Sequence, residues 1–299
     1  MHLPTLRQLQ FLCAIAEEGS FSRAADICHV TQPTLSSAIK ELEALLSVQL
    51  IEREARGASL TRAGQEAVAR AQIILSSTSD LISAARQAGA PLSGPFRLGA
   101  IPTIAPFLLP AVLKELRKEY SDLKLYLRED QTERLLDALR GRKLDAALIA
   151  LPWEAPGIET QALGDDEFLL AAPSGHSLIE KTDLMTADLS EEDVLLLDDG
   201  HCLRDHAVSV CQLPASRDQT DVTATSLPTL VHMVAGGLGV SLLPKLAIES
   251  GVTAGADVEV RAFSNPIIGR QIGLAWRSGS PRAAEAQLIG EKVRLALEA

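Results

Sequence analysis

The sequence has few cysteines and no long apolar run, and both shortages exclude whole classes of protein. Only four of its 299 residues are cysteine, which is too few, and too unevenly spaced, for the disulfide framework of a secreted scaffold. No stretch approaches the roughly 18 unbroken apolar residues of a membrane-spanning helix, and the N-terminus shows no charged leader followed by an apolar segment. We therefore expect a cytoplasmic protein that has no membrane partner.

Charge is distributed unevenly along the chain. The formal net charge is −11, but residues 1–90 carry a net charge of only −1 and the remainder carries −10. The front of the chain can therefore approach a polyanion more readily than the back. A composition of 46% hydrophobic and 22% charged residues is that of an ordinary soluble globular protein, and the length suggests two or three domains.

Helical patterns dominate the first 46 residues. An amphipathic helix ends at Gly19, Ser20 caps a second helix over Phe21–Cys28, and a third begins at Gln32. Two short helices joined by a tight turn fit a helix-turn-helix, whose second helix enters the major groove of DNA. An ordinary three-helix bundle with a solvated face is the alternative. The polar face of the third helix consists of Gln32, Thr34, Ser36, Ser37 and Lys40.

The following residues favour the DNA-binding interpretation. Residues 50–64 are typical of a two-stranded wing with basic tips. Together with Ala24-Ala25 and the segment from Thr31 to Ser36, they closely resemble the DNA-binding domain of LysR-type transcriptional regulators, although Ile51 stands where that family more often has Phe. The resemblance implies that double-stranded promoter DNA is a partner. The DNA contacts that we expect are Thr31, Gln32, Pro33, Thr34, Ser36, Ser37, Lys40, Arg53 and Arg56.

A long helix and an α/β domain are expected to follow. Apolar residues alternate at spacings of three and four from about Ala63 to Ala88, which predicts a coiled-coil seam, and residues 89–95 break the helix. In the resembled family this linker helix pairs subunits, so we expect a homodimer or homotetramer, with RNA polymerase as a further partner. The predicted domains are residues 1–62 for DNA binding, 63–89 for the linker and 90–299 for the effector domain.

Strand-like and helical runs alternate beyond residue 95, which predicts parallel sheets built from βαβ units. The expected fold class is therefore α/β, with an N-terminal all-α winged helix-turn-helix. Two lobes with a cleft between them are expected, as in the LysR effector domain, which is similar to periplasmic binding proteins. Lobe I would cover about 95–165 and 268–299, and lobe II about 166–267.

Cys202 and Cys211 are separated by nine positions, with charged side chains between them. A disulfide needs Cα atoms about 4.4 to 6.8 Å apart, whereas nine residues of helix rise about 13.5 Å and an extended chain spans about 30 Å. Joining these cysteines would therefore require the segment to change shape, which is the property of a redox switch.

The local chemistry leaves the behaviour of Cys202 open. Asp199 or Gly200 can end a turn and place Cys202 in the first turn of a short helix, where a thiolate is favoured. His201, Arg204 and His206 act in the same direction, whereas Asp198, Asp199 and Asp205 oppose it. Two other interpretations remain: buried apolar cysteines, and a zinc site formed by His201, Cys202, His206 and Cys211.

The segment Gly200-His201-Cys202-Leu203-Arg204-Asp205, followed by Cys211 and preceded by Ile101-Pro102-Thr103, resembles the hydrogen-peroxide sensors of the LysR family. The resemblance implies that Cys202 is the peroxidatic cysteine and Cys211 the resolving one, with no cofactor, no resident metal and no enzymatic turnover. The residues that it implies for the peroxide pocket and for support of the thiolate are Thr103, Thr132, His201, Arg204, Asp205 and Arg270. Position 206 is His, where Gln is more usual.

Three alternatives stay open at this point. The chain could be a LysR-type regulator of another small effector, with both cysteines structural. It could be a thiol peroxidase that turns over with a reductant, although the helix-turn-helix argues against that. It could also be a metal sensor. In the peroxide-sensor interpretation, the disulfide alters the effector domain and thereby DNA binding and the activation of antioxidant genes.

Overall fold

The structure is a computed structural model, and it describes residues 3–54, 57–86, 91–200, 202–211, 224–264 and 267–298. The chain divides into two compact units. The first covers residues 1–89 and 141–143, and the second covers residues 90–140 and 144–299.

The first unit is a winged helix-turn-helix followed by a long helix. Each of its first three helices begins after a threonine or serine whose side chain accepts a hydrogen bond from the first turn, namely Thr5, Ser20 and Thr31. The elements are helices α1 (Leu6–Glu18), α2 (Phe21–Ile27) and α3 (Gln32–Leu46), strands β1 (Ile51–Glu54) and β2 (Gly57–Leu60), and helix α4 (Arg62–Arg86). The predicted third helix and the wing are therefore confirmed.

The second unit is an α/β domain with one continuous sheet. Its strands are β3 (Gly94–Ala100), β4 (Leu123–Glu129), β5 (Ala146–Leu151), β6 (Ile158–Pro173), β7 (Val194–Leu195), β8 (Val240–Pro244), β9 (Val258–Ala262) and β10 (Gly269–Arg277). Its helices are α5 (Ala105–Glu119), α6 (Thr132–Arg140), α7 (Ser177–Glu180), α8 (Cys202–Cys211), α9 (Leu227–Ala235), α10 (Lys245–Glu249) and α11 (Ala283–Leu297), with a 3-10 turn at Thr186–Glu191.

Two strands connect the lobes. Along the sheet the order is β4-β3-β5-β10-β6-β8-β7, and β9 also pairs with β6. The first half of β6 pairs with β10, up to Glu167 opposite Gly269, whereas from Phe168 onward β6 pairs with β8 and from Leu169 with β9. The sheet therefore passes from lobe I to lobe II at residues 166–168 of one strand and near residue 268 of the other.

The expectation of parallel sheets is correct for only part of the domain. Strand β3 runs parallel to β4 and β5, and β7 runs parallel to β8, but β10 is antiparallel to β5 and β6. The reason is topological: β6 leaves lobe I and β10 re-enters it, so the two strands run in opposite directions. The sequence pattern also indicated β6 only over Phe168–Ala172, because its first half is largely exposed and polar.

Each lobe has its own hydrophobic core, and α8 contributes to both cores. Cys202 packs in the core of lobe I with Ile101, Ile104 and Leu151. The next residue, Leu203, packs in the core of lobe II, as does Ala207. Helix α8 therefore lies where the two lobes meet.

No helix in the described part of the chain is both long enough and apolar enough to cross a membrane.

Candidate functional site

Cys202 is the first residue of α8 and is 5% exposed. Gly200, two residues before it, adopts φ +87°, a conformation that L side chains rarely adopt, so the backbone there favours glycine. The prediction that Cys202 lies in the first turn of a short helix is confirmed. The positive end of the helix dipole at this position favours a thiolate.

Helix α8 runs without interruption from Cys202 to Cys211. Nine residues of helix rise about 13.5 Å, roughly twice the largest Cα separation that a disulfide tolerates. This conformation is therefore the dithiol form of the segment, and a Cys202–Cys211 bond can form only if the helix unwinds.

A buried ion pair lies at the crossing of β6 and β10. Arg270 and Asp166 are opposite each other in the two strands, and the Arg270 Nη2 and Nε atoms lie 2.9 and 3.0 Å from Asp166 Oδ2. Both side chains are almost completely buried. The second carboxylate oxygen of Asp166 accepts a hydrogen bond from the Leu246 N–H at 3.0 Å. The two charges are thus compensated at the point where the sheet passes from lobe I to lobe II.

The same guanidinium holds Thr103 in the loop between β3 and α5. Arg270 Nη1 donates to Thr103 Oγ1 at 2.6 Å and Nη2 donates to the Thr103 carbonyl at 2.9 Å. Arginine has no acceptor, so the Thr103 hydroxyl must use its own hydrogen elsewhere. Thr103 is buried, and its O–H is therefore held in position as a donor.

Thr132 supplies a second buried hydroxyl. It is the first residue of α6 and is 2% exposed, and within the described part of the chain its Oγ1 has no hydrogen-bond partner. The preceding residue, Gln131, donates from its amide nitrogen to the Asp199 carbonyl at 3.3 Å. The start of α6 is thereby held against the turn that leads into Cys202. An unpartnered buried hydroxyl at this place is suited to a small polar ligand.

His206 lies one helical turn after Cys202. Its Nδ1 is 2.7 Å from the Cys202 carbonyl oxygen, and its Nε2 is 3.2 Å from the Leu151 carbonyl oxygen at the end of β5. The ring therefore spans from α8 to lobe I.

A cavity of about 930 Å³ opens beside these groups. Cys202, His206 and Arg270 contribute to its wall, and Trp153 and Ile267 give it an apolar side. Cys202 and the Arg270–Asp166 ion pair therefore line the same cavity.

Of the other residues predicted for the redox site, only Arg204 has a side chain among the described residues. The Arg204 side chain is directed to Asp199, with Nε 3.0 Å from Oδ1, rather than to Cys202. His201 and Arg56 lie outside the described residues, as do the side chains of Asp205, Cys211 and Arg53. No cluster of three or more potential metal-binding side chains occurs among the residues that the structure describes, but His201 and the Cys211 side chain of the zinc alternative are not among these.

The helix-turn-helix presents most of its predicted DNA contacts to solvent. Thr31, which caps α3, is exposed, as are the side chains of Gln32, Pro33, Thr34, Ser37 and Lys40, while Ser36 is half-buried. The opposite face of α3 buries Leu35, Ile39 and Leu42 in the core of the unit.

The two cysteines of this unit differ chemically from Cys202. Burial, followed by the charge of Glu17, raises the pKa of the Cys13 thiol to about 11. Burial also raises the pKa of Cys28. Both therefore stay protonated at neutral pH and are poor nucleophiles. Cys13 is a buried, packed thiol, whereas Cys28 is half-buried.

The sequence pattern did not indicate three parts of the site: Asp166, Gln131 and the Leu151 carbonyl. Asp166 was detectable as one of three consecutive acidic residues that directly precede an apolar strand run. Gln131 and the Leu151 carbonyl carry no sequence signal, because their roles depend on contacts with distant segments.

The chain matches two family descriptions. Residues 6–65 match the bacterial regulatory helix-turn-helix of the lysR family, and residues 89–295 match the LysR substrate binding domain. A probable hydrogen peroxide-inducible genes activator of Streptomyces viridosporus is 41% identical over 98% of this chain and 95% of its own length. The DNA-binding transcriptional dual regulator OxyR of Escherichia coli K12 is 39% identical over 98% of this chain and 96% of its own.

Solved structures agree with these matches. A full-length OxyR of Pseudomonas aeruginosa with a cysteine-to-aspartate substitution has a TM-score of 0.81 at 37% identity, over 99% of this chain and 96% of that one. A hydrogen peroxide-bound OxyR of Corynebacterium glutamicum with a cysteine-to-serine substitution has a TM-score of 0.69 at 38% identity, over 99% and 94%.

We expect Asp166→Ala to lower the free energy of unfolding of the second unit, which we call the effector unit, by about 3 to 5 kcal/mol. The substitution leaves the buried Arg270 charge without a partner. The chain has only two tryptophans, Trp153 and Trp276, and both lie in the effector unit. Urea unfolding followed by tryptophan fluorescence therefore reports on this unit. The matched control is Asp165→Ala at the exposed neighbouring position, for which the expected change is within about 0.5 kcal/mol. Equal effects of the two substitutions would contradict the assigned role of the pair.

Proposed function

The chain belongs to the LysR family of bacterial transcriptional regulators, and we propose that it senses hydrogen peroxide through Cys202 and reports it by a reversible Cys202–Cys211 disulfide. The observation that carries the proposal is α8, which begins at one cysteine and ends at the other. Cys202 lies at a helix N-terminus in the wall of a cavity that Arg270 also lines. Thr132 carries an unpartnered buried hydroxyl, and the residue before it, Gln131, bonds to the turn that leads into Cys202. The peroxide-inducible activators among its relatives support the same assignment.

The chemistry follows the oxidation of a thiolate. The Cys202 sulfur attacks one peroxide oxygen, the O–O bond breaks, and hydroxide leaves and takes up a proton to become water. The sulfenic acid then condenses with the Cys211 thiol, which releases a second water and forms the disulfide. The hydroxyls of Thr103 and Thr132 are suited to bind the peroxide and to donate to the departing oxygen. His201, as implied by the resemblance, completes this pocket.

The helical conformation of α8 and a Cys202–Cys211 disulfide exclude each other, and the proposed switch is the exchange between them. In the dithiol form α8 packs Cys202 into lobe I and Leu203 into lobe II. Formation of the disulfide requires residues 203–210 to leave the helical conformation, so these contacts are exchanged for others. A LysR-family regulator acts on DNA rather than as an enzyme, so the rearrangement changes DNA binding and the activation of antioxidant genes. Its proposed partners are promoter DNA, a second copy in a dimer or tetramer, and RNA polymerase, and its compartment is the cytoplasm, where the DNA is.

Mapping of the disulfide tests the proposal directly. About one equivalent of peroxide should convert the protein to a Cys202–Cys211 disulfide, detected by mass spectrometry of digests with blocked thiols. Cys202→Ser should form no such bond, and Cys211→Ser should accumulate a sulfenic acid that dimedone traps. Cys28→Ser is the control and should behave as the parent protein. If the parent protein keeps both thiols reduced, the sensor assignment fails and a regulator of another effector takes its place.

We expect Thr132→Val to slow the reaction of Cys202 with peroxide on the order of 100-fold, because it removes a donor to the departing oxygen while keeping the shape of the side chain. Thr132→Ser retains the hydroxyl and should react at nearly the parent rate. Stopped-flow tryptophan fluorescence measures the rate, since Trp153 lines the same cavity as Cys202. Equal rates for the two variants would show that the hydroxyl has no part in the reaction.

We expect Lys40→Ala to make the slope of the logarithm of the DNA-binding constant against the logarithm of the salt concentration less negative by about one. The reason is that the proposed Lys40 contact is to a phosphate. Gln32→Ala should instead lose about 1 to 3 kcal/mol of discrimination at one base pair, since a glutamine amide reads base edges. Fluorescence anisotropy between about 50 and 200 mM salt measures both, with a DNA site selected by the protein from random sequences. The control is Lys124→Ala, at an exposed position of β4, which should change neither the salt dependence nor the base-pair discrimination.

A further inference from the structure

We propose that the buried Arg282–Glu285 pair, which we call the clamp, fixes residues 92–97 to lobe I and passes the redox state of the effector unit to the linker helix α4. Residues 92–97 are called the entry segment, and the two clamp residues are positioning residues. The inference rests on the proposed function, because it assumes that the disulfide forms and changes DNA binding.

The entry segment is where the polypeptide enters the effector unit. Helix α4 ends at Arg86 and strand β3 begins at Gly94, so any change that reaches the linker helix along the chain passes through this segment. Leu92 is 1% exposed and packs in the core of lobe I, although its φ of +54° is a conformation that bulky residues rarely adopt. Leu92 is therefore held by its tertiary contacts rather than by local preference.

The clamp hydrogen-bonds to the main chain of the entry segment. Glu285 Oε1 accepts a hydrogen bond from the Leu92 N–H at 3.0 Å, and Arg282 Nη1 donates to the Pro95 carbonyl. The two clamp residues also bond to each other, from Arg282 Nε to Glu285 Oε2, and their side chains are only 6% exposed. The Arg282 guanidinium lies over the Phe96 ring, 4.6 Å from its centre.

Asp145, directly before β5, extends the clamp to a third point of the segment. Its Oδ2 lies 3.3 Å from Arg282 Nη1 and accepts a hydrogen bond from the Arg97 N–H at 2.7 Å. The Arg97 carbonyl accepts in turn from the Asp145 N–H at 2.8 Å. Main-chain groups at positions 92, 95 and 97 are therefore all bound to the clamp or to Asp145, and through them to lobe I.

A buried ion pair of this kind is better explained by positioning than by stability. Two charges lose their hydration on burial, so replacement of such a pair by apolar side chains of similar size often leaves stability unchanged or raises it. Its geometric requirement is strict, because charged donors and acceptors must meet in fixed directions. The main-chain bonds of the clamp therefore specify how the chain enters lobe I from α4.

The clamp connects this entry to the core that contains the proposed sensor cysteine. Cys202 belongs to the same core of lobe I as Leu92 and Phe96. A Cys202–Cys211 disulfide requires α8 to unwind, which changes the packing of Cys202 in that core. With the clamp, a rearrangement of lobe I carries the entry segment with it. Without the clamp, the segment can reorient independently, and the linker helix loses the signal.

The test replaces the clamp by apolar side chains of similar size. Arg282→Met/Glu285→Met removes the bonds to the entry segment, while methionine keeps a contact with Phe96 and the unit is expected to stay folded. Glu285→Gln is a milder second variant that removes the charge of the carboxylate and keeps its shape. The matched control is Glu119→Met/Lys292→Met, which removes an ion pair that joins the same helix α11 to α5. Urea unfolding followed by tryptophan fluorescence checks that each variant is folded.

The readout is the ratio of the DNA dissociation constants of the two redox forms. Each full-length protein is prepared as the dithiol and, with stoichiometric peroxide, as the disulfide, and mass spectrometry verifies both forms. Fluorescence anisotropy measures binding to one DNA duplex, selected from random sequences by the dithiol form of the parent. We expect Arg282→Met/Glu285→Met to bring the ratio closer to one by about 2- to 30-fold, the range for substitutions along a coupled network. Glu285→Gln should change it less but in the same direction, and the control should keep the parent ratio.

Hydrogen exchange tests the contact itself. The peptide that contains Leu92 should exchange faster in Arg282→Met/Glu285→Met than in the parent and the control, because the Leu92 N–H loses its acceptor. Unchanged exchange in this peptide would overturn the clamp.

The remaining outcomes separate the clamp from the sensor. Folded clamp variants that form the disulfide and keep the parent ratio would overturn the role of the clamp and leave the sensor assignment intact. An equal loss of the ratio in the control would also overturn it, because the effect would then not be specific to the entry segment. Absence of the disulfide from the parent, or a parent ratio of one, would overturn the proposed function and the clamp together.

Discussion

The buried ion pair between Arg270 and Asp166 is the interaction on which the arrangement of the site depends. Two charges without water are stable only if each is fully compensated, and here the carboxylate accepts from Arg270 and the Leu246 backbone, while the guanidinium also donates to Thr103. This geometry fixes the crossing of β6 and β10 and at the same time orients a buried hydroxyl. One pair therefore links the connection between the lobes to the chemistry of the pocket.

Helix α8 is held at this crossing by contacts to both lobes. Cys202 packs into one core and Leu203 into the other, so the helix cannot unwind without disturbing the junction. Neither cysteine can reach the other while the helix persists. A covalent bond between them would therefore form only at the expense of this packing.

The cysteines lie in different local environments. Cys13 is buried among apolar side chains in a helical unit, which raises the pKa of its thiol to about 11. Cys202 is equally buried, but it lies at a helix N-terminus and in the wall of a cavity that also contains Arg270. Burial alone raises the pKa of a thiol, whereas the N-terminal end of a helix lowers it.

The sequence by itself determined the local elements and the type of protein. The spacing of apolar residues and the cap at Ser20 predicted the helices of the DNA-binding unit. The nine positions between Cys202 and Cys211 already implied that joining them requires a change of shape. The tertiary structure alone decided that β10 returns antiparallel to β6, that Asp166 pairs with Arg270, and that His206 reaches the Leu151 carbonyl. The hydrogen bonds of His206 and Arg270 join residues 55 and 104 positions apart, and the pairing of β6 with β10 also joins distant segments. Periodicity and capping act within one or two turns of chain, so contacts of this range are fixed only when the lobes pack.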